Sequence, residues 1–113
     1  MAGTGWQDQG PANATSIVNE ASRIVKTSPG LLFSATGYNA KSSQQWIQFH
    51  DSTSLPADNA VPKITFLVPA TSNWSIDFPN GRQFSSGIVI CNSAAQAIKT
   101  IGSTDCWFDA QFY

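Results

Sequence analysis

Apolar and polar residues alternate with a period of two along most of this chain, in short segments closed by Pro, Gly, Asn, Asp or Ser. Trp74, Ile76 and Phe78 share one face of such a segment, and Asn73, Ser75 and Asp77 share the other. That is the pattern of a strand half-buried against a core. Comparable segments lie near residues 22–27, 31–39, 44–50, 62–69, 73–78, 84–92 and 105–112. No helical pattern of crossover length separates them, so they predict an all-β chain: a single antiparallel β-sandwich or jelly-roll-like domain.

The punctuation between segments predicts the turns. Ser28-Pro29-Gly30 closes the first pair, and Asn80-Gly81 after Pro79 predicts a tight hairpin, because Asn and Gly accept positive φ. Pro56 and Pro62 keep residues 51–62 out of a central strand, with Leu55 expected to turn inward. Residues 94–101 fit one helical turn or a wide loop. Ile64, Phe66 and Val68 oppose Thr65 and Leu67, which predicts burial on both sides of that strand. In the last segment Cys106, Phe108, Ala110 and Phe112 oppose Trp107, Asp109, Gln111 and Tyr113, one face for the core and one for a partner or a covered edge. Residues 1–20 are rich in small polar residues and read as an extended N-terminal arm, leaving 21–113 for the sandwich. Trp6 is the arm's one aromatic, either an anchor for a partner or part of a free terminus. Ser16 to Glu20 fits a short helical turn or a strand.

The composition suits one core. Of 113 residues, 42% are hydrophobic, including four Trp and seven Phe, and a domain of this size hides about two-thirds of its extended-chain surface. Charged residues make up 12%, about half the usual share. Such a surface suits burial against neighbouring subunits or neutral exposure to water. Six Lys and Arg against seven Asp and Glu form no basic stripe for nucleic acid and nothing to steer the chain to an anionic membrane. No segment approaches the roughly 20 apolar residues of a membrane span. The start MAGTGWQDQGPANATS lacks the regions of a signal peptide, which predicts synthesis in a cytoplasm.

Candidate chemistry is sparse. His50 and Asp51 are adjacent, so in a strand they point to opposite faces and do not act as a pair; His50 is expected to end a strand and donate one hydrogen bond. Asp51 and Asp58 frame a loop and either hold an ion or cap backbone amides. Cys91 and Cys106 lack metal-site spacing. They would face each other across a hairpin, where a bridge closing about 15 residues is worth roughly 3 kcal/mol; a cytoplasmic origin favours two buried thiols instead. No catalytic residue, cofactor or metal is expected, and the chain reads as not an enzyme. Trp46 shares a face with Gln48 and His50, a polar and aromatic strip suited to a sugar or a protein neighbour. Trp6, Trp46, Trp107 and Tyr113 are the candidate partner contacts.

The stretches WIQFHDSTSLPADNAVP, NWSIDFPNGRQFSSGIVICNS and KTIGSTDCWFDAQFY resemble a group of small tailed-bacteriophage virion proteins over residues 30–113. GIVICNS (Gly87 to Ser93) and KTIGSTDCWFDAQF (Lys99 to Phe112) are the distinctive parts. The resemblance implies a non-enzymatic capsid cement or decoration protein, made in the host bacterial cytoplasm and carried on the capsid surface. Its partners would be the major capsid protein or other virion subunits, and itself as a homo-oligomer, a trimer favoured. The alternative is a tail, baseplate or fibre protein with a receptor- or glycan-binding role.

Overall fold

A computed structural model describes residues 11–100 and 102–113 of the chain. Eight strands run through them: β1 (Ala12–Thr15), β2 (Ser22–Lys26), β3 (Gly30–Asn39), β4 (Gln45–His50), β5 (Ile64–Val68), β6 (Ser72–Phe84), β7 (Ile88–Ser93) and β8 (Cys106–Phe112). They make two antiparallel sheets, sheet A in the order β1-β8-β3-β6 and sheet B in the order β2-β7-β4-β5. β1 pairs with β8, β2 with β7, β3 with β6 and β4 with β5. Those are the pairs of one long hairpin rolled into two layers, which is the winding of an eight-stranded jelly roll.

The alternating segments supply the core. Leu32, Ile47, Phe49, Phe84, Ile88, Ile90 and Phe108 are fully buried between the layers. Trp74 sits among three rings, with centroids 5.6 Å from Phe66, 6.2 Å from Phe108 and 6.3 Å from Phe49. Such tilted and edge-on pairs add about 0.5–1.5 kcal/mol each beyond their burial. Gly37, between Trp74 on β6 and Phe108 on β8, leaves space for that indole. A Cβ at position 37 would collide with the Trp74 ring and with the Trp107 carbonyl oxygen.

One end of the sandwich is closed by buried amides. Asn39 donates through Nδ2 to Pro69 O at 3.0 Å, and its Oδ1 accepts from Lys41 N at 3.0 Å and Gln45 Nε2 at 2.7 Å. Asn92 Nδ2 donates to Ser103 O at 2.7 Å. These bonds satisfy the Asn39 amide and the Asn92 nitrogen at inward positions, while Asn92 Oδ1 is buried without a partner, a cost of about 1–3 kcal/mol.

Sheet A starts within the stretch that reads as an arm: Ala12–Thr15 pairs along β8 from Phe112 to Asp109. Ser16 and Glu20 then flank a short bulge, with the Ser16 hydroxyl donating to Glu20 Oε2 at 2.6 Å and Glu20 bridging to Cys106. Asn80-Gly81 makes no hairpin. β3 is ten residues long, so β6 continues past Asp77 and resumes pairing at Arg82, with residues 78–81 bulging opposite Phe33. Gly81 has φ 81°, so the glycine that suits a hairpin serves a bulge here. Leu55 does not turn inward but is 55% exposed, and Leu67 is exposed because β5 is an edge strand whose outer side nothing covers fully. Cys91 and Cys106 do not face each other across a hairpin, since β7 lies in sheet B and β8 in sheet A; both are buried free thiols. Residues 94–100 form a loop, not a helical turn.

The β6–β7 turn hangs on one carboxylate. Asp51 accepts from Ser86 N at 2.8 Å, Ser85 Oγ at 2.8 Å, Ser85 N at 3.1 Å and Gly87 N at 3.3 Å. Desolvation is the largest single influence and pushes this carboxyl up, but the Ser86 amide, the Ser85 hydroxyl and amide and the Gly87 amide together outweigh it and bring the pKa down to about 2. The ordinary value is higher, so this stability is complete above about pH 4 and is lost as pH falls towards 2. Asp51→Asn is expected to lower stability at neutral pH and to flatten the acid limb of a urea-denaturation series between pH 4 and 2. Gly37→Ala is expected to destabilise the domain by about 2–3 kcal/mol in the same assay, because backbone and a packed ring both stand in the way.

Candidate functional site

The outward side of sheet A is an ordered polar platform. Cross-strand neighbours share a face, which places Trp107, Tyr38 and Asn73 in one row, then Thr15, Asp109, Thr36 and Ser75 in the next. Asn13, Gln111, Ser34 and Asp77 make a third. These rows hold two carboxylates and no lysine or arginine. On the β1–β8 half the side chains satisfy one another: Gln111 Nε2 donates to Asn13 Oδ1 at 3.2 Å, Asn13 Nδ2 to Thr15 Oγ1 at 2.8 Å, and Thr15 Oγ1 to Asp109 Oδ1 at 2.8 Å.

The β3–β6 half differs. A shallow trough of about 420 Å³ crosses β3 at Gly37, with Trp107 on one side, Asn73 and Ser75 on the other, and Thr36 and Trp74 completing its lining. Among the described residues the side chains of Thr36, Asn73 and Ser75 have no protein hydrogen-bond partner. The trough therefore offers an aromatic wall and three unspent polar groups over a backbone floor.

The four partner-contact candidates do not converge. Trp107 borders the trough. Tyr113 is exposed at the opposite end of the same strand, edge-on to Phe33 with centroids 5.4 Å apart. Trp46 is half-buried on the outer side of sheet B, beside Leu67 and Ser93. Trp6 lies outside the described residues. The strip expected beside Trp46 is not available, because Gln48 and His50 are buried. The 94–100 loop covers Gln48, whose Nε2 donates to Ala95 O at 2.9 Å and Ile98 O at 3.1 Å, and His50 sits beside Pro56, Ala60 and Pro62 of the 51–63 loop. Thr36, Asn73 and Ser75 are site residues that the sequence does not single out. Alternation marks Asn73 and Ser75 as outward, but only the pairing of β3 with both neighbours brings Thr36 and Trp107 beside them.

His50, Asp51 and Asp58 are engaged with neighbouring groups, and both thiols are buried. Because the Gln48 amide nitrogen is spent on carbonyls, its Oε1 accepts from His50 Nε2 at 3.0 Å, as expected of a histidine ending a strand. Asp51 points away to the amides of the β6–β7 turn, the capping role anticipated for it. Asp58 meets Lys99 Nζ at 3.3 Å. Burial pushes both Cys91 and Cys106 up to about 11, against a smaller opposing pull from Lys99 on Cys91 and from the Asn92 amide on Cys106. No three of His, Cys, Asp and Glu gather in a metal-binding group among the described residues.

The fold defines the chain's class, an antiparallel jelly-roll sandwich. No protein-family model, curated protein or solved structure matches the chain.

His50 links this packing to pH. Desolvation, and then the Lys99 charge, lower its pKa below 6.5. The neutral ring is the folded form, so its stability is full above about pH 6.5 and declines as pH falls through the lowered value. His50→Gln keeps a donor near Gln48 but removes the titration. The variant is expected to lose the part of the stability slope below pH 6.5 that the parent shows in denaturant titrations.

Proposed function

We propose that this chain is a non-enzymatic structural subunit of a tailed-phage particle, a decoration protein that binds the major capsid protein shell through the sheet-B side of its sandwich. The observation that carries the reading is the asymmetry of the two sides. Sheet A turns outward a polar platform. Sheet B turns outward Trp46, Leu67 and Ile24, flanked on its covering loops by Leu55 and by Val61, which is 77% exposed. Five exposed or half-exposed apolar residues on one side mark an interaction surface; the exposed Ile17 and Val18 lie apart from them, in the connection from β1 to β2.

Other features support the reading. The distinctive stretches Gly87 to Ser93 and Lys99 to Phe112 resemble small phage virion proteins, and they form β7, β8 and the loop between them. Jelly rolls serve in viral capsids and lectins, an analogy of fold that adds weight without assigning a role. The buried thiols and the engaged His50, Asp51 and Lys99 suit a binding protein better than a catalyst. A homo-oligomer, with a trimer favoured, would multiply weak contacts with the shell.

The test is quantitative mass spectrometry of purified particles from the encoding phage, with light scattering of the isolated chain. Parent protein is expected at a fixed ratio to the major capsid protein and at a mass of three chains. Leu67→Glu with Val61→Glu, both on exposed positions, is expected to fold normally by circular dichroism and to enter particles at least tenfold less. Absence of the parent from particles, or full incorporation of the double variant, would overturn the reading.

A further inference from the structure

We propose that the trough over Gly37 on sheet A is a binding site for a neutral saccharide. A pyranose ring presents C–H groups on its faces and hydroxyls around its rim. The C–H groups carry slight positive charge and are drawn to the negative face of an indole, which Trp107 provides as a half-buried wall. The hydroxyls both donate and accept, and so do the groups opposite: the amide of Asn73 and the hydroxyls of Thr36 and Ser75. Among the described residues those three side chains have no hydrogen-bond partner, whereas the adjoining Asn13, Thr15, Asp109 and Gln111 are tied to one another. Sheet A thus keeps a rigid, self-satisfied half beside a half with open hydrogen-bonding capacity.

Charge selects among sugars. The outward rows of sheet A carry Asp77 and Asp109 and no cationic side chain, so a sulfated, phosphorylated or sialylated ligand would meet like charge in the rows around the trough. A neutral hexose or N-acetylhexosamine unit has no such penalty. At about 420 Å³ the trough falls in the usual range of small-ligand sites, and its open shape suits a unit within a longer glycan more than an engulfed monosaccharide. Strands, not loops, position every group named, so little ordering cost accompanies binding. The site looks away from the sheet-B side proposed to meet other subunits, and the inference stands whether the chain sits on a capsid or on a tail.

The test is a glycan array of neutral oligosaccharides with their sialylated and sulfated counterparts, probed with the full chain, followed by calorimetric titration of the neutral oligosaccharide that binds best. Binding is expected for neutral glycans, with the acidic counterparts at least tenfold weaker. Trp107→Ala should weaken the titrated oligosaccharide at least tenfold, Asn73→Ala about threefold or more, and Trp107→Phe should restore most of the affinity. Trp46→Ala, on the other sheet, should leave it unchanged. Ser75→Arg fills the trough from an exposed position and gives the same loss should Trp107→Ala fail to fold. No binding to any neutral glycan, preference for acidic ones, or binding that survives both Trp107→Ala and Ser75→Arg would overturn the proposal.

Discussion

Trp74 occupies the space that any side chain at position 37 would fill, and much of the molecule follows from that contact. The indole lies across the inward side of β3 and gathers Phe49, Phe66 and Phe108 from the other strands, so both sheets meet on one ring. On the outward side the same glycine is the floor of the trough beside Trp107. One missing side chain thereby serves the core and the surface. The indole N–H is buried without a partner, a cost of about 1–3 kcal/mol that burial of the ring and its aromatic contacts offset.

The two sides of the sandwich are built by different means. Sheet A leaves its outer face open and keeps it ordered with short side chains bonded across strands. Sheet B is roofed by the 51–63 and 94–100 loops, which lock to each other through Asn59 N to Lys99 O and Lys99 N to Ala60 O, each 2.8 Å. That roof turns Gln48 and His50 from surface residues into buried ones. Such loops need internal partners for their polar backbone, and Gln48 and Ser93 supply them: Ser93 Oγ accepts from Thr100 N at 2.9 Å and from Ala95 N at 3.1 Å.

A polar, self-paired face and an apolar, loop-roofed face on one small domain suit a protein with two neighbours of unlike chemistry. The proposed shell subunit would offer apolar area to Leu67, Val61 and Trp46, and the proposed glycan would offer hydroxyls and C–H faces to the trough. Burial of Cys91 and Cys106 and the turn amides bound by Asp51 place these groups in structural roles, filling the interior and pinning a turn.

Period-two alternation by itself was enough to determine the class of fold, seven of the eight strands and the inward or outward sense of most of their residues, because in a strand a side chain's face depends only on parity. Parity says nothing of which strand lies beside which. Pairing between strands distant in the chain decided that Trp107 adjoins Tyr38 and the Gly37 trough, that Cys91 and Cys106 belong to different sheets, and that Asn80-Gly81 sits in a bulge. β1 was missed since Ala12 to Thr15 has no large apolar residue and gains its strand form from pairing with β8. The burial of Gln48 and His50 is equally illegible in the sequence: alternation on β4 marks them as outward, which they are, and only the tertiary fold lays across them a loop whose carbonyls accept from Gln48, leaving Gln48 Oε1 to accept from His50.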